Sequence, residues 1–483
     1  MIIKGYIFSL LYGLICLTIA FLLYKVGIKK QITRKIVHIL VGFEWIILYN
    51  FHGASLHFLA VCLLFLAVLF VSHRKSLMPM ISSDDENAPG TVYYAVAMSI
   101  MALITLFVPD MMIPFGIGVF CTSFGDGLAG LTGHIMTGAR NPRIYGNKTL
   151  YGALMNFIVS AITVGVFSRE FGLGLNILSI LAIAFFVTEL ELFTGRGLDN
   201  ISITLGASFL TYLFIFYPET WNYLIPILFT PLIIVFAYKK HALTVSGIIA
   251  ALIVDVLISV SLGNFGFCIL LAFFAGGIIV DKIKKSYKKR GQNVGSYIEK
   301  RGECRDHVQV FANSIVASAC AIFFAITNEK AFVVAFVASL AEALADTTAS
   351  GIGVLSGKAY DVFRHCPCSA GISGGMSVLG TSASAVAALL ISLIALAFGR
   401  ITLIDSLIVF VAAILGAVFD SLLGSLLQIK YKCNSCGAIT EREEHCGIRT
   451  ERHSGISIIT NDSVNLLGTL FSAVLVALIY IIM

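Results

Sequence analysis

Long apolar runs alternate with short polar segments along almost the whole chain. The clearest runs cover residues 6–24, 55–71, 151–167, 243–262 and 466–483, and each is close to the roughly 20 residues that a helix needs to cross a membrane. The pattern predicts about sixteen spans, which begin near residues 5, 36, 55, 92, 111, 150, 173, 201, 222, 243, 264, 308, 330, 377, 402 and 460. Strands of a membrane β-barrel would instead alternate over about ten residues. The sequence therefore predicts an all-α, polytopic integral membrane protein with its helices in two bundles.

Composition supports this class and excludes a water-soluble globular protein. Hydrophobic residues make up 58% of the 483 positions and charged residues only 12%, whereas soluble domains have about 25% charged residues. The first segment lacks a convincing small-residue cleavage site before Lys25, which favours a retained span over a removed signal peptide. The non-membrane cysteines lie in loops that we expect to face the reducing cytosol.

The charge is distributed unevenly between the two predicted sides of the membrane. If successive spans alternate in direction, 29 of the 33 Lys and Arg residues fall on one side. The positive-inside rule makes that side cytosolic and predicts that both termini face outward. The net charge of +6 is then mainly a topology signal, and no helix-turn-helix or zinc-finger array points to nucleic acid. The basic run at residues 281–290 is typical of an anchor for anionic membrane lipids.

Polar residues near the predicted cytosolic face are candidates for phosphate chemistry, because charged groups in a membrane are costly and usually functional. In the first half, Asp126 lies in a Gly-Asp-Gly sequence where glycines permit close backbone approach and the carboxylate is a suitable Mg²⁺ ligand. Lys148 is a plausible phosphate ligand, although the glycine spacing before it does not fit a Walker A motif. His38 is a candidate base or phosphate ligand, with an ordinary structural hydrogen bond as the alternative.

A second type of site is predicted near the C-terminus. Cys433-Asn-Ser-Cys436 is followed by His445, Cys446 and His453, which together offer enough thiolate and imidazole for a structural Zn²⁺ site. The predicted ligands are Cys433, Cys436, Cys446 and His453. The alternative is a set of reduced, free cysteines.

Two groups of motifs resemble known families. Residues 25–217 resemble the dolichol kinase and phytol kinase family through Arg34-Lys-Ile-Val-His38, Gly125-Asp-Gly127, residues 148–152, Glu189 and Asp199-Asn200. Residues 239–483 resemble the family of phytyl-phosphate kinase and transmembrane protein 19. The motifs that carry this second resemblance are Gln309-Val-Phe-Ala-Asn313, Ala345-Asp-Thr-Thr-Ala-Ser350, Gly371-Ile-Ser-Gly-Gly-Met-Ser377, Asp420 with Gln428, and Asn461-Asp-Ser-Val-Asn465. Glu342 and Thr348 depart from its pattern.

These resemblances imply a two-domain enzyme, with residues 1–238 acting on an isoprenoid alcohol and residues 239–483 on its monophosphate. CTP would be the phosphoryl donor and Mg²⁺ the cofactor in both. In the first domain the resemblance implies Asp126, Asp199 and Asn200 as the Mg-CTP site, Lys148 and Arg34 as phosphate ligands, and His38 or Glu189 as the proton acceptor. In the second it implies Asp346, Asp420 and Asp462 as metal ligands, with phosphates held by Gln309, Asn313, Asn461, Asn465 and a backbone nest at Ser373, Gly374 and Gly375.

Two other functions stay open at this point. A cytidylyltransferase that makes a CDP-lipid needs the same Mg-CTP site but releases pyrophosphate. A lipid transporter built from two helical repeats is a further alternative, although the two halves share no motif order and their polar residues lie near one face rather than at the midplane.

Overall fold

A computed structural model describes residues 2–75, 77–78, 89–136, 141–195, 197–289, 304–369, 371–441 and 443–483. These residues are predominantly helical, with a few short strands in the loops. The prediction of an all-α, polytopic membrane protein is confirmed. The chain divides into two compact units, Met1–Leu232 and Ile233–Met483.

Seventeen α-helices and ten β-strands are formed within the described residues. The helices are α1 Ile2–Lys25, α2 Lys30–Val41, α3 Glu44–His52, α4 Leu56–Lys75, α5 Gly90–Phe107, α6 Met112–Phe120, α7 Gly127–Ile135, α8 Leu150–Glu170, α9 Ile177–Phe193, α10 Asp199–Phe216, α11 Leu224–Lys239, α12 Val245–Lys289, α13 His307–Thr327, α14 Lys330–Gly353, α15 Val378–Ala397, α16 Leu403–Leu426 and α17 Asn461–Ile482. The strands are β1 Arg143–Tyr145, β2 Lys148–Thr149, β3 Lys358–Asp361, β4 Cys366–Ser369, β5 Gly375–Met376, β6 Lys430–Lys432, β7 Ile439–Thr440, β8 Glu444–His445, β9 Ile448–Arg449 and β10 Glu451–Ser454.

Thirteen helical stretches in the described part of the chain are long and apolar enough to cross a membrane, so the predicted number of sixteen is not confirmed. The segment predicted near residue 36 is interrupted after α2, which leaves two helices of 12 and 9 residues. Helix α9 has 17 residues, at the short end of the roughly 17–25 that span a bilayer. The two segments predicted near residues 243 and 264 are joined in α12.

Helix α12 folds back on itself at Gly263. This residue has φ 60° and ψ −147°, a backbone conformation that glycine adopts readily and other residues rarely do. A Cβ atom at Gly247 would lie 2.5 Å from the Arg305 carbonyl oxygen, and one at Gly277 would lie 2.7 Å from the Arg305 guanidinium. Because one residue contacts positions on both sides of Gly263, the two arms of α12 lie side by side as a helical hairpin.

Unit 1 is organised around the buried stretch formed by α6, the residues after it and α7. Cys121–Asp126 forms a π-helical turn between the two helices, a feature that is frequent at functional sites. The stretch packs against α2, α8 and α10. Phe115 and Ile117 are fully buried, and a Cβ atom at Gly116 would meet the Trp45 ring. The turn therefore holds Asp126 at a fixed place among several helices.

Unit 2 is organised around α14, which packs against α12, α13, α15, α16 and α17. Its sequence is rich in alanine, serine and glycine, and small residues allow helices in membranes to approach closely. Ala335, Ala338 and Ala341 are all buried. Asp346 lies in the C-terminal half of α14 and Asp420 in that of α16, and the N-terminal turns of α13 and α17 carry the predicted residues Gln309, Asn313, Asn461, Asp462 and Asn465.

Candidate functional site

Three carboxylates of unit 1 converge on one lysine. Lys148 Nζ lies 2.6 Å from Glu191 Oε1, 3.0 Å from Asp199 Oδ2 and 4.0 Å from Asp126 Oδ1. All three acids are buried. Burial alone would lower the pKa of Lys148, but the three carboxylates outweigh this effect and raise it. The lysine is therefore a fixed positive charge at physiological pH.

A second lysine reaches the same cluster from α2. Lys35 Nζ lies 2.6 Å from Asp126 Oδ2 and donates a hydrogen bond to the Asp126 carbonyl oxygen at 3.2 Å. A Cβ atom at Gly130 would lie 2.5 Å from Lys35 Cε, and one at Gly127 would lie 2.6 Å from Ile39 Cγ1. These two glycines therefore admit α2 to α7, and this helix packing is the alternative to close approach of a phosphate.

Three other predicted residues of the first half, His38, Arg34 and Asn200, lie close to this cluster. His38 Nε2 lies 3.7 Å from Asp126 Oδ2 and 3.3 Å from the Thr122 carbonyl oxygen. Burial lowers the pKa of His38 to about 4, although nearby Asp126 opposes the shift, so the imidazole is neutral at physiological pH. Arg34 lines a cavity of unit 1 that Lys35, Asp126 and Lys148 also line. Asn200 also lines it and donates a hydrogen bond to the Gly90 carbonyl oxygen at 2.8 Å.

Glu189 is not brought to this cluster, whereas Glu191 is. Both carboxyl oxygens of Glu189 are buried without a hydrogen bond to any described residue, and Glu189 is not among the residues that line the cavity. Glu191 lines the cavity and binds Lys148. Two positions apart on α9, the two acids point in directions about 200° apart around the helix axis. Glu191 is thus a site residue that sequence reasoning missed.

The charged cluster lines a cavity of about 1430 Å³. Its polar lining includes Arg34, Lys35, His38, Asp126, Asn147, Lys148, Glu191, Asp199 and Asn200. Its apolar lining comes mainly from α1 and α4, with Leu10, Leu14, Leu17, Val61, Leu64, Phe65, Val68 and Leu69. The Tyr12 hydroxyl donates to the Leu40 carbonyl oxygen, which fixes α1 against α2. The cavity can accept a molecule with a charged or hydroxyl head and a long apolar tail.

Unit 2 contains its own group of buried acids. Asp346 of α14 and Asp420 of α16 lie within hydrogen-bonding reach of each other, and Glu342 is an electrostatic neighbour of both. Both carboxyl oxygens of Glu342 and Oδ2 of Asp420 are buried without a hydrogen bond to any described residue. Buried carboxylates repel one another and lack hydration. A bound cation would relieve both costs.

The predicted nest at residues 373–375 lies beside the end of α16. Gly374 has φ +90°, and a Cβ atom there would lie 2.5 Å from Ser425 Cα, so glycine is needed for this approach. The Ser373 carbonyl oxygen accepts a hydrogen bond from Lys430 Nζ at 2.8 Å. The Ser373 hydroxyl donates a hydrogen bond to the Glu441 carboxylate. Burial and nearby Arg364 lower the pKa of Lys430. Lys430, which we had counted only for membrane orientation, thus places a cation at the nest.

Some of the remaining predicted residues of unit 2 make structural contacts, and others lie on the helix that packs against the acidic group. Gln309 accepts from the Asp306 backbone N–H and completes the N-terminal cap of α13. Asn465 lies 3.5 Å from Asn313. A Cβ atom at Gly468 would lie 2.7 Å from Glu342 Oε1, so Asp462, about 9 Å earlier along α17, is at the same end of the unit. Asn461 is exposed in the first turn of that helix.

The possible zinc ligands differ from the predicted set in one position. Cys433, Cys436, His445 and Cys446 each have a ligand atom within 4.8 Å of the others. His453 is instead an exposed residue of β10, which pairs with β6. Among the described residues this is the one group of three or more His, Cys, Asp or Glu side chains whose ligand atoms all lie within 4.8 Å of one another.

Comparison with known proteins places the chain among membrane proteins. Residues 228–473 match the family described as integral membrane protein DUF92. The chain is 26% identical over 190 residues to phytol kinase of Synechocystis sp., which covers 38% of this chain and 78% of the relative. An uncharacterized membrane protein of the same organism is 30% identical over 196 residues, covering 40% of this chain and 74% of the relative.

A plant relative and the known structures complete the comparison. Protein VTE6, chloroplastic, of Arabidopsis thaliana is 29% identical over 218 residues, which is 43% of this chain and 62% of the relative. No solved structure is significantly similar to the chain.

Proposed function

We propose that this chain, which belongs to the DUF92 family of integral membrane proteins through residues 228–473, is a membrane kinase for an isoprenoid alcohol. The observation that carries the proposal is the cavity of unit 1, whose lining includes Lys35, Asp126 and Lys148 together with apolar side chains of α1 and α4. The polar lining would take the hydroxyl and the nucleotide phosphates, and the apolar lining would take the isoprenoid chain. Similarity to a phytol kinase supports this substrate class.

In the proposed reaction the alcohol oxygen attacks the γ-phosphorus of the nucleoside triphosphate, for which we propose CTP. The bond from that phosphorus to the β-phosphate oxygen breaks, and a nucleoside diphosphate leaves. His38 accepts the alcohol proton, since its imidazole is neutral and Nε2 already faces the Thr122 carbonyl oxygen, which leaves Nδ1 as the acceptor. Lys35, Lys148 and Arg34 offset the negative charge of the phosphates, because phosphoryl transfer depends mainly on positioning and electrostatic stabilisation.

The donor set of the cluster fits Mg²⁺, which prefers carboxylate oxygens together with phosphate oxygens and water. Asp126, Glu191 and Asp199 already converge on one cation, the Lys148 ammonium. The metal would supply positive charge that neutralises the phosphates during transfer. Asn200 is part of the polar lining and would position the nucleotide through its amide.

We further propose that unit 2 transfers the γ-phosphoryl group of a second nucleoside triphosphate to the monophosphate, which forms the isoprenyl diphosphate and releases a nucleoside diphosphate. The acceptor oxygen is then already anionic and needs no strong base. Asp346 and Asp420 would hold Mg²⁺ with Glu342 beside them, which fits the buried carboxyl oxygens of Glu342 and Asp420 that have no hydrogen bond within the described part of the chain. Ser373, Gly374 and Lys430 would bind phosphate through backbone and ammonium groups.

The two acids of α9 offer a matched test of the first site. Glu191→Gln should lower alcohol phosphorylation at least about tenfold, because it removes a carboxylate from the Lys148 cluster. Glu189→Gln changes the same group on the same helix away from the cavity and should leave the rate within about twofold. Initial rates of the two purified variants check this. Equal losses in both variants would contradict the assignment of Glu191.

The apolar part of the cavity can be tested in the same way with two residues of α1. Leu14 and Ile15 are exposed to a similar extent, 52% and 53%, but only Leu14 lines the cavity. Leu14→Trp should raise the KM for a long isoprenoid alcohol about tenfold, because the larger side chain would displace part of the isoprenoid and each buried methylene contributes about 0.8 kcal/mol. The KM for a short alcohol should change little. Ile15→Trp is the control. If neither variant changes the KM for long alcohols more than that for short ones, the isoprenoid does not occupy this part of the cavity.

A further inference from the structure

The loop between α16 and α17 contains two tight turns that face each other. The first follows β6, where the Cys433 carbonyl oxygen accepts from the Gly437 N–H at 2.8 Å and the Cys433 N–H donates to Ala438 at 3.0 Å. The second joins β8 to β9 through Cys446 and Gly447, both at positive φ (52° and 75°). Each turn thus presents two ligand side chains, and a glycine directly follows the second ligand of each.

The side chains of the two turns point toward a common centre. His445 Nδ1 lies 3.4 Å from Cys436 Sγ and 3.3 Å from Cys446 Sγ, and the ligand atoms of all four residues fall within 4.8 Å of one another. In a tetrahedral zinc site with Zn–S of about 2.3 Å and Zn–N of about 2.0 Å, the edges between ligand atoms are about 3.5–3.8 Å. The observed separations are close to these edges.

The backbone at Cys446 is a second, independent indication of a bound ion. A non-glycine residue at positive φ is strained and persists where the surroundings require that side chain. At this position glycine or asparagine would make the two-residue hairpin with less strain. The chain instead has a cysteine, whose Sγ meets His445 and the opposite turn.

We propose that Cys433, Cys436, His445 and Cys446 bind one Zn²⁺ ion in a closed, structural site. Three thiolates and one imidazole match the ligand type and number of such sites. The ion joins the turn after β6 to the β8–β9 hairpin, two parts that belong to different sheets. It is distinct from the two carboxylate sites, which offer only oxygen and suit Mg²⁺.

This position makes the zinc site a support for the loop at residue 373. Lys430 at the start of β6 donates to the Ser373 carbonyl oxygen, and Glu441 just after β7 accepts from the Ser373 hydroxyl. Both strands flank the Cys433–Cys436 turn. The metal therefore stabilises the two strands that hold Ser373 and acts on that loop as a positioning element.

The metal content of the full-length protein tests this proposal without any assay of phosphorylation. Wild-type protein purified in detergent under reducing conditions, from cells grown with added zinc, should contain one Zn²⁺ per chain. The zinc content of Cys436→Ser and His445→Ala should be at least about tenfold lower, whereas that of His453→Ala and Cys366→Ser should equal the wild-type value. Size-exclusion elution identifies variants that fail to fold.

Cobalt substitution supplies a second readout. Co²⁺ added to the metal-free wild-type protein should give thiolate-to-metal charge-transfer absorption, and the same spectrum should appear in His453→Ala but change in His445→Ala. Wild-type protein without bound zinc and without this absorption would overturn the proposal. Loss of metal in His453→Ala with retention in His445→Ala would overturn the assigned ligand set.

Discussion

Asp126→Asn should reduce phosphorylation of an isoprenoid alcohol by about a hundredfold or more, while phosphorylation of the isoprenyl monophosphate stays within about twofold. The substitution keeps the shape of the side chain but removes the charge that pairs with Lys35 at 2.6 Å and faces Lys148 at 4.0 Å. A carboxylate that positions a metal-bound phosphate is worth several kcal/mol in the transition state. Separate assays with each acceptor check the two rates.

The control for this variant lies in the same membrane stretch. Asp110 precedes α6 and is exposed, so Asp110→Asn makes the same chemical change away from the cavity and should alter neither rate. Removing one partner of a buried ion pair can also destabilise a protein by about 3–5 kcal/mol. The retained monophosphate activity distinguishes a lost site from a lost fold. Loss of both activities in Asp126→Asn would contradict the two-site model.

Asp346→Asn should have the opposite effect, lowering phosphorylation of the monophosphate about a hundredfold and sparing phosphorylation of the alcohol. Asp346 lies beside Asp420 and Glu342, and its charge would be needed to hold the proposed metal. With the alcohol as substrate, this variant should accumulate monophosphate. Chromatography of the labelled lipids follows both products over time.

Asp281→Asn is the matched control in unit 2. Asp281 is half exposed and lies 3.6 Å from Arg305, and exposed ion pairs contribute little to stability. Its rates should equal those of wild type. If Asp346→Asn forms diphosphate at the wild-type rate, unit 2 does not use this acid for phosphoryl transfer.

The sequence was sufficient for the fold class and for part of the first site. The Gly-Asp-Gly motif and Lys148 directed attention to side chains that the structure brings within 4.0 Å of each other. Glu191 was not predicted as a site residue because α9 is apolar on all sides. With no polar face to set the helical phase, the sequence could not show which of its two acids points into the cavity.

Other differences arise where turns decide the geometry. Apolar length alone does not reveal that the chain turns back at Gly263 between two helical arms or that α2 ends at Val41, and so the sequence could not settle the number of spans. Spacing also could not choose between His445 and His453. The choice depends on a hairpin that places His445 beside Cys436 and on strand pairing that carries His453 into β10.

Transfer of label from CTP to an isoprenoid alcohol tests the central claim most directly. Purified protein is incubated with phytol or geranylgeraniol, Mg²⁺ and CTP labelled either in the γ-phosphate or in the α-phosphate. We predict that γ-label enters the lipid monophosphate first and the diphosphate later, while α-label stays in CDP. α-Label in the lipid would show a cytidylyltransferase, and lipid that takes no label from CTP or ATP would contradict a kinase of any kind and favour a transporter.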